Sequence, residues 1–168
     1  MKKQKGFSLI ELLIVVAIIL IIAAIAIPNL MRSKMAANES SAISSLRTIN
    51  TAEVTYATVY PGVGYSNDLP SLGGTPAVCS APGGASSATA CIIDEVLATA
   101  TTLATAKSGY YFSYALGAAV GGINTAYTVT ATPTVVGTAG QRNFFTDQSG
   151  VLRYGLTGPA TLNSSAIQ

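Results

Sequence analysis

The 168-residue sequence predicts an α+β chain in which a long N-terminal helix packs on a C-terminal antiparallel sheet of about four strands. Three observations predict it. Residues 7–27 are apolar apart from Ser8 and Glu11, residues 29–60 are amphipathic at helical spacing, and the C-terminal third alternates aromatic or β-branched runs with glycine-bearing turns.

The apolar run is as long as a bilayer-spanning helix requires, roughly 20 residues at about 1.5 Å each. An acid at the centre of such a span costs roughly 2.5–3.5 kcal/mol on insertion scales, so Glu11 needs a partner or a route to the headgroups. Pro28 follows the run directly. Its missing N–H and the clash of its ring with the preceding turn predict a helix break or kink there. Beyond it, Met31, Met35, Ile43, Leu46, Ile49, Tyr56 and Val59 recur among Arg32, Lys34, Glu39, Arg47 and Glu53, and Pro61-Gly62 closes the helix. Such a helix needs a second layer to cover its apolar stripe.

Residues 61–84 read as loop, with Pro61, Pro70, Pro76 and Pro82 and the glycine pairs at 73–74 and 83–84. Residues 92–103 predict a short helix with Asp94 and Glu95 early in it, where acids suit the helix dipole. Strands are expected over 110–116, 126–132, 142–146 and 151–154. Asp147-Gln148-Ser149-Gly150 is the hairpin turn between the last two.

Composition narrows the function. The first five residues hold Lys2, Lys3 and Lys5 and no acid, so without them the net charge changes from +2 (nine basic, seven acidic) to −1 (six basic, seven acidic). No basic patch then remains for a nucleic acid, and the lysines read as a positive-inside topology signal. There is no histidine and no Cys-x-x-Cys-His, which excludes His-ligated metals and c-type haem. Glu53, Asp68, Asp94, Glu95 and Asp147 are not arranged as a catalytic pair by any nucleophile motif, metal spacing or phosphate loop, so neither catalysis nor a cofactor is expected. Asp147 reads as a turn residue and the strand aromatics as core. The Ser and Thr density at residues 99–105 and at Ser164 and Ser165 suits O-glycosylation of a surface protein. Cys79 and Cys91, with eleven residues between them, form a disulfide on the outer side of a membrane, worth about 3 kcal/mol in the chain-entropy model. Two free thiols are the alternative.

Three readings compete for the N-terminus. A secretory signal peptide would be cut near Ala23, Ala24 or Ala26, a plain anchor would stay whole, and an export signal of a third kind would keep its apolar part. The residues between leader and run favour the third. Gly6-Phe7-Ser8-Leu9-Ile10-Glu11 resembles, without a departure, the G-F-[ST]-L-[IV]-E motif of type IV pilins and type II secretion pseudopilins. More loosely, residues 109–112, 126–127, 140–147 and 150–153 are similar to the heads of small pilin-like proteins.

The resemblance implies the type IV pilin fold. It divides the chain into a leader over 1–6, a transmembrane and filament-core helix over 7–28, and a globular head over 29–168 that includes the amphipathic half of the helix. It implies cleavage between Gly6 and Phe7 by a prepilin peptidase, N-methylation of Phe7, and polymerisation in which a neighbour's Glu11 neutralises the new amine and sets axial register. It further implies that the helix loosens over residues 20–28, just before Pro28, when subunits pack. The implied partners are other copies of the chain, the peptidase, a pilus or secretion assembly platform and, before assembly, the bacterial inner membrane, with the leader cytoplasmic and the head outside. A type IV pilus subunit serving motility, adhesion or DNA uptake is the first expectation. A secretion pseudopilin is the second, and a membrane-anchored binding domain that never polymerises the third. Major pseudopilins often bind calcium in a C-terminal loop, and past Glu95 this chain offers Asp147 as its one carboxylate side chain, so no such site is expected.

Overall fold

The computed structural model describes residues 7–156 and 158–167, so Gly6 and the rest of the leader lie outside the described residues. The chain forms two compact units, Met1–Lys34 and Met35–Gln168. Helix α1, Leu9–Val59, contributes to both.

In the first unit the break expected at Pro28 is not found. Pro28 lies inside α1, and helix is continuous on both sides of it. The proline removes a single backbone donor, and the residues on both sides of it remain helical.

In the second unit α1 buries Glu39, Ala42, Leu46, Ile49, Glu53 and Tyr56, a stripe that advances by three and four residues alternately. The expected stripe is right at Leu46, Ile49 and Tyr56. It is wrong at Val59, which is exposed, and at two acids, Glu39 and Glu53, which sit on the buried face with their own hydrogen-bond partners.

The connecting segment is not all loop over residues 61–84. It holds a 3-10 turn, Pro70–Leu72, and the short helix α2, Pro76–Cys79. The helix expected over 92–103 is shorter. One turn forms, α3 (Glu95–Ala98), capped by Asp94 through Leu97 N–H at 3.2 Å. The threonine-rich stretch after it gives only a 3-10 turn, Leu103–Thr105, because hydroxyls at Thr102 and Thr105 bond locally and compete with the helix.

Seven strands follow in chain order: β1 (Tyr110–Leu116), β2 (Ala119–Val120), β3 (Ile123–Asn124), β4 (Tyr127–Pro133), β5 (Asn143–Asp147), β6 (Arg153–Gly155) and β7 (Ser165–Ala166). Five of them make an antiparallel sheet of order β1-β4-β5-β6-β7, on which the stripe of α1 packs. Alternation along β4 buries Tyr127, Val129, Ala131 and Pro133, whereas every residue of β5 is buried. The core joins Leu46, Ile49 and Tyr56 to Tyr110, Phe112, Tyr127, Val129 and Phe144. Leu69, Leu72 and Leu97 close it from the connecting segment.

Four sheet strands are expected near these positions, and the fifth is not. Strand β7 has two small residues and no alternation to read. It is held by pairing with β6 and by Ile167 N–H donating to Leu152 O at 2.8 Å. Strands β2 and β3 form a separate hairpin that turns through Gly121 and Gly122, both at positive φ as a two-residue loop of the mirror type requires.

Candidate assembly site

The first described residue, Phe7, is 85 % exposed at the start of α1. Ser8 is the residue before the helix, and its N–H donates to Glu11 Oε2 at 2.9 Å. An acid three positions inside a helix that reaches back to the backbone of the capping residue is half of a capping box. The signal stands in the sequence as Ser8-Leu9-Ile10-Glu11, and it gives Glu11 an intrachain partner that span-cost reasoning misses. Phe7 and Glu11 therefore share the first turn.

On either side of Glu11 the start of the helix is apolar all round. Leu9, Ile10, Leu12, Leu13, Ile14, Val15 and Val16 are each 46–79 % exposed, and none of the most apolar 18-residue window is buried. This is a helix long and apolar enough to cross a membrane. Side chains like these on every face need an apolar surrounding, whether hydrocarbon tails or other helices.

Among the polar contacts that fasten the head to the second half of α1 are those of Glu39, Asn50 and Glu53. Glu39 Oε1 accepts from Gln141 N–H at 2.8 Å and Arg142 N–H at 3.2 Å, and its Oε2 receives the Arg142 guanidinium at 2.7–2.8 Å. The same guanidinium lies 5.6 Å from the Phe144 ring centre and 5.5 Å from that of Tyr154. Asn50 donates to Thr146 Oγ1 and accepts from the Tyr127 hydroxyl. Glu53, wholly buried, accepts from Ser66 N–H at 2.9 Å and Ser66 Oγ at 2.5 Å. Burial raises the Glu53 carboxyl above its ordinary range, and the Ser66 bonds offset part of that. Tyr114 donates to Ser66 O, and burial pushes its phenol up, so it stays protonated as a donor.

Cys79 and Cys91 are brought together as a disulfide. It closes an exposed loop whose neck is held by Ala90 N–H to Ser71 O, Cys91 N–H to Gly73 O and Ile92 N–H to Leu72 O. Gly74 lies against the sulfurs: a Cβ built there would stand 2.7 Å from one Sγ and 2.9 Å from the other. Asp147 makes the expected turn, accepting Ser149 N–H at 2.9 Å, with Gly150 at positive φ.

Residues 1–27 match the family model described as the prokaryotic N-terminal methylation motif. The chain is 46 % identical over 54 residues to the type IV major pilin protein PilA of Myxococcus xanthus, a match covering 32 % of this chain and 24 % of that protein. It is 58 % identical over 40 residues to the type IV wide pilus major component PilA4 of Thermus thermophilus, covering 24 % and 30 %. It is 38 % identical over 50 residues to the type II secretion system core protein G of Escherichia coli, covering 30 % and 34 %. These matches span about a quarter to a third of the relatives' own length. No solved structure matches. The methylation motif thus opens an exposed apolar helix whose second half carries an α+β head, and over its N-terminal third the chain is similar to type IV pilins and to a type II secretion core protein.

Proposed function

We propose that this chain is the structural subunit of a type IV pilus. The observation that carries the reading is the unbroken motif from Gly6 to Glu11 opening onto a helix that is apolar and exposed on every face. The subunit is made as an inner-membrane prepilin with residues 1–6 as a cytoplasmic leader, 7–28 as membrane anchor and later filament core, and 29–168 as the head outside. A prepilin peptidase cuts between Gly6 and Phe7, and the Phe7 amine is methylated. An assembly platform then extracts the helix into a bundle of its own copies.

The amine created at Phe7 adds positive charge where the first N–H groups of α1 already concentrate it. A neighbour's Glu11 neutralises it. Inside the filament the stretch over residues 20–28 loosens, since Pro28 leaves the Ala24 carbonyl without its usual donor. The role is structural, and the chain carries out no chemistry of its own.

The match to core protein G favours a second reading, a pseudopilin of a type II secretion system. Similarity to major pilins and the single carboxylate side chain beyond Glu95 support the pilus instead. Sheared surface filaments, viewed by electron microscopy and analysed by N-terminal mass spectrometry, test the proposal. Long filaments beginning at methylated Phe7 are expected. An uncut chain starting at Met1, with no filament containing it, overturns the reading; loss of protein secretion without surface filaments selects the pseudopilin.

A further inference from the structure

The two ends of the disulfide are held unequally. Cys91 is half-buried and sits in the left-handed region at φ 57, a conformation that an L side chain adopts at a cost and keeps only where its surroundings impose it. Those surroundings are present on both sides of it. Its own N–H and those of Ala90 and Ile92 donate to Gly73 O, Ser71 O and Leu72 O, and just upstream the Tyr56 hydroxyl donates to Ser87 O at 2.6 Å.

Cys79 has no such support. It ends α2, a single turn with no buried residue, and residues 75–83 are all exposed. Among the described residues, every hydrogen bond of residues 75–85 stays inside that segment: Val78 N–H to Thr75 Oγ1, Cys79 N–H to Thr75 O, Ser80 N–H to Pro76 O, Ala81 N–H to Val78 O and Gly84 N–H to Ala81 O. Apart from the chain itself, the Sγ–Sγ bond is the one bond among the described residues that ties this segment to the head.

We infer that Cys79 is a thiol-exchange site and that the disulfide is a latch on residues 75–85. A low-molecular-weight thiol, as its thiolate, attacks the Sγ of the exposed Cys79. The Sγ–Sγ bond breaks as the new S–S bond forms, and Cys91 leaves as a thiolate and takes up the proton that the attacking thiol gave up. Residues 75–85 then carry the mixed disulfide off the head, while Cys91 stays seated by the bonds around it. A second thiol attacking the adduct releases Cys79 as a thiol and leaves as a small-molecule disulfide, so two electrons and two protons pass to the protein in all. In the reverse direction Cys91 attacks the adduct at Cys79 and closes the latch. Exchange frees one surface segment that buries nothing, and the core around Leu46, Ile49, Tyr110 and Phe144 stays closed.

The oxidised, detergent-solubilised chain tests the site when it is incubated with reduced glutathione, quenched with acid, alkylated with N-ethylmaleimide and read by tandem mass spectrometry. Glutathione on Cys79 with the maleimide on Cys91 should exceed the reverse arrangement on the order of tenfold. Thermolysin, which cuts before aliphatic residues, tests the latch. After full reduction and alkylation it should cut before Ala77, Val78 or Ala81 on the order of tenfold faster than in the oxidised chain, with residues 110–155 left whole in both. Adducts absent, shared equally between the sulfurs or found mainly on Cys91 overturn the exchange site. Cutting of residues 75–85 no faster after reduction, or cutting of the sheet at the same rate, overturns the latch.

Discussion

Glu39 and Arg142, 103 positions apart in sequence, meet through a 2.7 Å ion pair that fastens the first turns of the head's helix to the residue just before β5, the central strand of the sheet. Glu39 is nearly buried, while the Arg142 side chain is about one-third exposed. Removing the acid strands the backbone donors of Gln141 and Arg142 as well as the guanidinium. Glu39→Ala should therefore lower head stability by about 2 kcal/mol, below the range for a fully buried pair because solvent reaches the arginine. Glu39→Gln, whose amide oxygen can still accept the two backbone N–H groups while its NH2 meets the guanidinium, should lose less. Urea unfolding of the detergent-solubilised chain, followed by the tyrosine signal in near-UV circular dichroism, compares the two; equal losses would show that the charge rather than the hydrogen bonds dominates.

Glu53 makes stability depend on pH. Burial raises its carboxyl above the ordinary value of 4.5, so folding favours the protonated form. Its contribution is fully present below pH 4.5 and is lost as pH rises through the raised folded value. Relative to Glu53→Gln, the wild-type head should gain stability as pH falls from about 7 toward the ordinary carboxylate range. Parallel melting-temperature profiles for the two proteins would refute this.

The disulfide and the glycine beside it should act together. Replacing Cys79 and Cys91 by Ser is expected to cost about 3 kcal/mol in the chain-entropy model. Gly74→Ala should also destabilise, because its new methyl group falls within 3 Å of both sulfurs. Gly62→Ala, where nothing lies within 4 Å, is the matched control and should be near neutral. Thermal melts under non-reducing conditions rank the three.

Glu11 can be divided into cap and charge. Glu11→Ala removes both and should leave leader cleavage largely intact while preventing efficient filament assembly. Glu11→Gln keeps a side chain that caps Ser8 N–H but carries no charge. If the register comes from an ion pair with a neighbour's amine, the Glu11→Gln subunit fails to assemble just as the Glu11→Ala subunit does. Normal filaments from Glu11→Gln would leave the cap as the working part.

The residues legible in the sequence are those whose role follows from a local pattern. The apolar span, the stripe at Leu46, Ile49 and Tyr56, the strand Tyr110–Leu116 and the Asp147 turn all belong to that class. Glu39 and Glu53 are misplaced by such a reading because their burial depends on partners distant in the chain, Arg142 and Ser66, although their spacing with Ala42, Leu46, Ile49 and Tyr56 is there to be counted. Strand β7 is invisible because pairing with β6, rather than the preference of Ser165 and Ala166, makes it a strand. Pro28 misleads in the opposite direction, since a strong local rule gives way to the helix on either side of it.

The disulfide loop separates shape from content. Its neck is fixed by three backbone bonds and a covalent link, and at its tip Tyr56 holds only a carbonyl, that of Ser87, which any residue could supply. The residues from 80 to 88 give no side chain to the core. Doubling the length of such a loop costs only about 0.6 kcal/mol of closure entropy. The head can thus exchange exposed side chains written there while its grammar stays the same, except at Gly84, where an added Cβ would run into the Val78 carbonyl oxygen, and with the Ser87 carbonyl kept in place for Tyr56.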